Sequence, residues 1–548
     1  MKRRTLIKGG IAGLASLYAS RSHSATFMGD ALRNKTNGPF QPNWDSLAQY
    51  QVPDWYRDAK FGIWAHWGPQ CQPERGDWYA RGMYEEGSDQ YKYHCEKYGH
   101  PSKFGFKDVI NEWKAEKWDS EALLALYKKA GAQYFVALAN HHDNLDLFDS
   151  KHQRWNATNV GPKKDLMAGW AKAAKKQGLP LGVSVHSAHA WRWYETAQRA
   201  DRSGPLAGIP YDGKLTAADG TGKWWQGYDP QELYAQHHPL SQNSLDGGSI
   251  HGQWNWGNGV YPPSKAYCEN FYDRTIDLIE KYNPDLIYFD DTALPLWPVN
   301  DAGLRIAAHL YNKSLKKHGK VKAVINGKIL DEQQRKCMVW DIERGQSNAI
   351  EPLPWQTDTC IGQWHYDRRI YDNNHYKSAK TVIHTLIDVV SKNGNLLLNV
   401  PLRGDGSMDD KERAVVEGIA DWMQLNSESI YGTRPWKIFG EGPAQQSSAA
   451  LSAQGFNEGK GKPFGASDIR FVRKGSILYA TLLGWPEDRK ALIKTLNSAS
   501  GKVEKITLLG HKGTVPFRQS ADGLTVELPE QAPGKIAFVL KIKGNVAS

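Results

Sequence analysis

The chain has 548 residues, 40% hydrophobic and 23% charged, a balance that excludes a disordered protein and suits one large folded domain with a smaller companion. Its formal charge of +10 drops to +5 without residues 1–25, which hold five basic and no acidic side chains, and no Lys/Arg block marks a nucleic-acid binder. Five cysteines without metal-ligand spacing exclude a disulfide scaffold, whereas 22 tryptophans supply flat faces that suit sugar rings as well as core packing.

The N-terminus reads Met1-Lys2-Arg3-Arg4-Thr5-Leu6-Ile7-Lys8, then a mild apolar stretch from Gly9 to Ala19 and small residues up to Ala25. A twin arginine before a short apolar stretch is a signal for export of folded proteins across a bacterial inner membrane, so the mature protein is expected in the periplasm or outside the cell. No later stretch is apolar enough to span a bilayer, and no membrane partner is expected.

From about Phe61 to Pro401 helix and strand patterns alternate. A helix over 119–130 stops at Gly131 before a strand from Tyr134 to Leu138, and the stripe Leu166, Met167, Trp170, Ala174 ends at Gly178 before Leu181 to Val185. The unit recurs with Ile276, Leu278 and Ile279 ahead of Leu286 to Phe289, with a helix from Ile306 to Lys317 ahead of Val321 to Ile325, and with Ser378 to Lys392 ahead of Leu396 to Val400. So many helix-then-strand units predict a closed (β/α) barrel of the TIM type, and no Gly-rich dinucleotide fingerprint supports an open sheet instead. Residues 195–265, rich in Gly, His and Trp, interrupt the alternation and are expected to wall the site. A helix from about Asp410 to Gln424 closes the barrel, 441–465 reads as an exposed loop, and short alternating runs beyond it predict a small antiparallel β-sandwich. The expected organisation is a signal at 1–25, a catalytic barrel domain at 26–435 and a sandwich domain at 436–548.

Reactive side chains fall at the ends of these strands: His66, the pair His141 and His142, His186, Asp290 and Glu343. Barrel enzymes build their sites from such positions. Hydrolysis of a glycosidic bond with retention needs two carboxyl groups, one to attack the anomeric carbon and one to protonate the leaving oxygen and later activate water. Asp290, delivered by Leu286-Ile287-Tyr288-Phe289, is the expected nucleophile, and Asp291 fits a structural loop carboxylate better. Glu343 is the expected acid/base, with Glu351 and Asp358 as competitors because an ion pair with Arg344 would lower the Glu343 pKa when an acid needs it raised. The histidines would hold ring hydroxyls. A metal is not expected, because His66 has no ligand partner near it in the sequence.

Several runs resemble the α-L-fucosidase family of retaining glycoside hydrolases: Phe61-Gly62-Ile63-Trp64-Ala65-His66-Trp67-Gly68, Asp77-Trp78-Tyr79, the run from His141 through Asp149-Ser150, Asn159-Val160-Gly161-Pro162-Lys163-Lys164-Asp165, and Asn393-Gly394-Asn395-Leu396-Leu397-Leu398-Asn399-Val400. Ile430-Tyr431-Gly432-Thr433-Arg434-Pro435-Trp436 and Asp468-Ile469-Arg470-Phe471 extend the likeness into the C-terminal region. The resemblance implies a barrel with a C-terminal sandwich, no cofactor, and removal of terminal α-linked L-fucose from fucosylated oligosaccharides or glycoconjugates. It further implies that Asp290 is the nucleophile, that His66, Asp77, Trp78, His141 and His142 bind fucose, and that Trp64 or Trp78 faces its C6 methyl. This chain departs from the family in having Asp291 where Gly is usual, Asp77 where Glu is frequent, and His186 on a strand that carries tyrosines in many relatives. The run Asp341-Ile342-Glu343-Arg344-Gly345 with Pro354-Trp355-Gln356-Thr357-Asp358-Thr359 is similar to the branch preferring α-1,3/1,4-linked fucose. A hydrolase of a related or sulfated deoxy sugar, and a silent glycan-binding protein on the same fold, are the alternative readings.

Overall fold

The computed structural model describes residues 37–242, 256, 259–444 and 457–546. The expected export signal, Trp254 and Asn255 of the aromatic stretch, and 445–456 of the long loop lie outside the described residues.

Eight parallel strands, each paired with the next and the last with the first, close a barrel: β1 (Phe61–Ala65), β2 (Tyr134–Asn140), β3 (Leu181–Val185), β4 (Leu286–Thr292), β5 (Val324–Lys328), β6 (Val339–Glu343), β7 (Trp355–Cys360) and β8 (Gly394–Asn399). Parallel neighbours need long crossovers, and helices such as Ser120–Lys129, Leu166–Gln177, Lys265–Tyr282, Ala302–His318 and Ala379–Ser391 supply them. Their ends follow local chemistry: Asp119, Asp165, Ser264 and Ser378 accept from backbone N–H groups of the first turn, and Gly178 and Gly319 close two helices in the left-handed conformation.

Alternate strand residues point into the barrel or out toward the helices. Trp64, Tyr134, Val136, Leu286, Tyr288, Val324, Val339 and Leu397 form the inner cluster, with Tyr56 of the helix Asp54–Ala59 packed on it. The outward set, including Ile63, Phe135, Ile287 and Ile325, joins the larger core beneath the helices. This parity decides which terminal side chains can reach the mouth: His66 continues the inward series of Trp64, Asp290 that of Leu286 and Tyr288, and Glu343 that of Val339.

Two sheets follow the barrel. One has the order β13 (Val503–Leu508), β16 (Phe538–Gly544), β11 (Ile477–Leu482), β10 (Ile469–Lys474) and β9 (Arg434–Glu441); the other is β12 (Lys490–Ile493), β15 (Gly523–Glu527) and β14 (Phe517–Ser520). Both contribute to one apolar cluster, Phe471, Leu478 and Leu540 from the first and Ile493, Leu524 and Val526 from the second, which makes the pair a sandwich. A buried ion triad ties it to the barrel: Arg470 Nε donates to Asp388 Oδ1 (2.5 Å) and Lys392 Nζ to Asp388 Oδ2 (2.6 Å). No helix among the described residues is long and apolar enough to cross a membrane.

Candidate active site

Asp290 sits where β4 departs from regular pairing. Tyr288 pairs with Asn326, but the next partners are Thr292 and Lys328, so β4 carries extra residues at Asp290 and Asp291. A bulge of this kind re-aims a side chain. Asp290 turns into the barrel mouth, while Asp291 is held by His189 Nε2 (2.9 Å) and its own neighbour's N–H (Thr292, 2.7 Å).

The Asp290 carboxylate is surrounded by donors. Lys328 Nζ lies 2.6 Å from Oδ1, and His186 Nδ1 and His142 Nε2 lie 3.1 and 3.2 Å from Oδ2. Burial works against ionisation, but the Lys328 ammonium and then the two imidazoles outweigh it, and the carboxyl is held well below the usual aspartate range. Lys328 also donates to Glu343 Oε2 at 2.5 Å. The two carboxylate oxygens on this ammonium are therefore at most 5.1 Å apart, the sum of the two contacts. Burial opposes the charge on Lys328, yet Asp290 and Glu343 hold it well above the usual lysine range.

The three candidates for the acid are now separated. Glu343 ends β6 at the mouth, beside Asp290. Arg344 does not pair with it; the guanidinium goes to Glu458 (3.3 Å), and Lys328 takes the place expected for Arg344. Glu351 lies at the other end of the barrel, where its N–H donates to the Lys392 carbonyl just ahead of β8 and its carboxylate accepts from Ser347 Oγ at 2.6 Å. Asp358 is inside the barrel, one layer below, accepting from Tyr288 OH at 2.6 Å. Burial pushes Asp358 up to about 7 and, with the Asp358 charge, raises Asp341 well above the usual range. These are carboxyls of the barrel interior rather than of its mouth.

Histidines form one wall. Ring centroids of His66 and His141 are 5.0 Å apart, of His66 and His186 5.1 Å, and of His141 and His142 4.5 Å. Burial, reinforced by the neighbouring rings, holds His66 and His141 well below the usual imidazole range, and burial brings His186 down to about 4. Neutral rings offer one donor and one acceptor each, which suits hydroxyls. Gln70 Nε2 donates to His141 Nδ1 (2.7 Å), so His141 presents Nε2–H. His66 is carried on a backbone N–H that donates to Asn399 Oδ1 at 2.9 Å.

The remaining expected residues divide. Trp64 lies in the layer beneath the histidines, its ring 4.8 Å from Tyr288 and 4.9 Å from His66, so it forms floor rather than wall. Trp78 is half-buried, with its ring edge-on to His142 (6.4 Å) and Trp193 (6.3 Å), and holds a left-handed backbone at φ 59. Such strain in a non-glycine residue is concentrated at ligand sites. Asp77 is turned to the loop after β7, where it accepts from the N–H groups of Trp364 (3.3 Å) and His365 (2.7 Å). From the 195–265 stretch, Trp256 stacks on His189 with centroids 4.8 Å apart.

Sequence reading missed Lys328 and His365. The fifth strand, expected over Val321 to Ile325, runs from Val324 to Lys328; the inward parity of Val324 and Asn326 was the available signal. The expectation that His66 lacks metal-ligand partners also fails in space. Ring nitrogens of His66, His141 and His365, and separately of His141, His142 and His186, lie within 4.8 Å of one another and could hold an ion.

The family model for α-L-fucosidase matches residues 28–428, and that for the α-L-fucosidase C-terminal domain matches 462–543. The tissue α-L-fucosidase of Rattus norvegicus is 24% identical over 524 residues, 92% of each chain, and the α-L-fucosidase of Dictyostelium discoideum is 23% identical over 90% of this chain and 92% of its own. The crystal structure of Thermotoga maritima α-fucosidase superposes with a TM-score of 0.65 at 25% identity, covering 92% of this chain and all of that one. An α-L-fucosidase from Bacteroides thetaiotaomicron shares the fold at 17% identity and a TM-score of 0.59, over 91% and 96% of the two chains.

Proposed function

The chain belongs to the α-L-fucosidase family of glycoside hydrolases, and on that premise we propose that it removes terminal α-linked L-fucose with retention of configuration, Asp290 acting as nucleophile and Glu343 as acid/base. The observation that carries this reading is the bridge Asp290–Lys328–Glu343, which brings one oxygen of each carboxylate at the barrel mouth to within 5.1 Å of the other. Retaining enzymes hold their pair at about 5–5.5 Å, too close for a water to be activated between sugar and base.

The charge count assigns the roles. One ammonium balances one carboxylate, and a second uncompensated negative charge in a site shielded from water is costly. Asp290 has Lys328 and His186 as donors and is held well below the usual aspartate range, as a nucleophile must be; Glu343, as the acid, has to carry the proton in the resting enzyme. Asp290 attacks the anomeric carbon as Glu343 gives its proton to the departing oxygen, and the bond to the leaving group breaks as the glycosyl ester forms. Glu343, now a carboxylate beside Lys328, takes a proton from water as that water attacks the same carbon and releases Asp290. The neutral histidines fix the hydroxyls, and Trp78 offers an apolar face to the C6 methyl.

The order Asp341-Ile342-Glu343-Arg344-Gly345 supports a preference for α-1,3/1,4 linkages, and Arg3-Arg4 ahead of the apolar stretch supports export through a twin-arginine route. The mechanism is tested by hydrolysis of an aryl α-L-fucoside and of 3- and 4-fucosylated oligosaccharides with wild type, Asp290→Ala and Glu343→Ala. Turnover lost in Asp290→Ala and partly restored by azide as the β-fucosyl azide is the expected result. An α-configured azide product, or undiminished turnover in Asp290→Ala, would remove Asp290 from the role. Export is tested by replacing Arg3 and Arg4 with lysine and following precursor accumulation; unchanged processing would contradict the route.

A further inference from the structure

His365 belongs to none of the steps above. It lies in Gly362-Gln363-Trp364-His365-Tyr366 after β7, is fully buried, and has its ring centroid 4.6 Å from His66 and 4.8 Å from His141. The loop that carries it is fixed from two sides. Asn399 Nδ2 donates to the carbonyls of Gln363 (3.3 Å) and Trp364 (2.9 Å), and Asp77 receives the Trp364 and His365 N–H groups.

Asp77 Oδ1 also lies 3.3 Å from His365 Nδ1. With Asp77 Oδ1 accepting here, Nδ1 carries the hydrogen, and in the neutral ring Nε2 keeps a lone pair. Nε2 is buried and has no hydrogen-bond partner within the protein, and Nδ1 of His66, in the ring beside it, is in the same state. Buried polar atoms are normally satisfied, so these orphaned ring nitrogens, together with Nε2 of His186 in the same wall, mark a partner that arrives with the ligand.

We propose that His365 is a specificity-determining contact for the terminal sugar, its Nε2 accepting a hydrogen bond from one ring hydroxyl, and that Asp77 is the positioning residue that fixes the tautomer. The proposal rests on the Asp290 pocket being the place where the terminal sugar binds. Asp77 then serves the sugar through the imidazole rather than by its own carboxylate. The chemistry also sets a requirement on the substrate: the contacted position must carry a free hydroxyl. A sulfate or methyl group there has no hydrogen to donate and would set acceptor against acceptor in a buried site.

The test compares kcat/KM for aryl α-glycosides of L-fucose and of its 2-, 3- and 4-deoxy analogues, using wild type, His365→Phe, His365→Asn and Asp77→Asn, with Asp290→Ala as control. In the wild type one analogue should lose about ten- to a hundredfold more than intrinsic reactivity accounts for. His365→Phe should abolish that discrimination and leave the other two analogues ranked as before. Asp77→Asn keeps an acceptor for only one of the two backbone N–H groups and should weaken discrimination at the same hydroxyl, with the melting temperature measured alongside to show that the variant is folded. If His365→Phe fails to fold, His365→Asn supplies the comparison. Discrimination at all three hydroxyls surviving in folded His365 variants would overturn the proposal while Asp290→Ala remains inactive; activity in Asp290→Ala would instead overturn the assignment of the pocket.

Discussion

Replacing Lys328 with methionine removes the charge that the structure places between the Asp290 and Glu343 carboxylates and keeps most of the side-chain volume. Lys328 Nζ is 2.6 Å from Asp290 Oδ1 and 2.5 Å from Glu343 Oε2, with its own side chain 12% exposed. An opposite charge at this range depresses a carboxyl pKa by about 1–3 units, and loss of it adds the repulsion between two carboxylates. Asp290 keeps His186 as a donor, with the His142 ring beside it, so its pKa should rise by about 2–3 units rather than more, a change of about 3–4 kcal/mol in the cost of holding it ionised. In the proposed role of nucleophile Asp290 works only as the anion. The acid limb of kcat/KM against pH, which reports the free enzyme, should move upward by the same 2–3 units in Lys328→Met and stay in place in Lys328→Arg. The assay is aryl α-L-fucoside hydrolysis between pH 3 and 8, with melting temperatures measured at each end. An acid limb of folded Lys328→Met that coincides with the wild type would refute the claim that Lys328 sets the ionisation of the site.

Acid should strip out the stability that the neutral buried histidines contribute, against an opposing gain from Asp358, which is pushed up to about 7 and binds more protons folded than unfolded over the same range. His186, brought down to about 4 by burial, binds fewer protons folded than unfolded, so its contribution is complete above the unfolded value of about 6.5 and is lost as pH falls toward 4, where it amounts to about 3 kcal/mol. His66, His141 and His142 shift in the same direction and add to it; with the opposing buried carboxyls removed in the double variant Asp341→Asn, Asp358→Asn, a melting temperature that is flat from pH 7 to 4.5 would contradict this. Arg470→Ala strips a partner from the buried Asp388, whose pKa burial would raise but Lys392 and Arg470 depress, and should cost about 3–5 kcal/mol in denaturant unfolding. That loss should appear above the normal aspartate range and fade as pH falls through it; a change under 1 kcal/mol at pH 7 would show that the triad is not what holds the sandwich to the barrel. Gly62→Ala would place a methyl group 2.4 Å from the ring of Tyr134, which is fully buried and donates to Gln356 across the barrel. Calorimetry should show a loss of about 3 kcal/mol, and an unchanged melting temperature would mean that the inner layer has room to give.

Much of the architecture was legible in the chain itself, because helices and strands bury different stripes and repeat them with different periods. The capped helices ending at Gly178 and Asn283 and the apolar strands after them required parallel strands with crossovers, and their number required closure. The same parity placed Asp290, Glu343 and His66 at inward strand ends. The seventh strand escaped, since Trp355-Gln356-Thr357-Asp358-Thr359-Cys360 has no apolar alternation. Its polar side chains are satisfied by partners far away in the sequence, as Gln356 is by Tyr56, Tyr134 and Asp341. The partners of each charge were equally out of reach. Arg344 adjoins Glu343 in sequence yet turns to Glu458, while Lys328, 38 residues from Asp290, closes on it from the neighbouring strand. Sequence determines which residues can reach the barrel mouth, because periodicity is local. Which of them touch, which stay charged and which imidazole nitrogen is left free depend on distances across the barrel, and only the closed tertiary structure decides those.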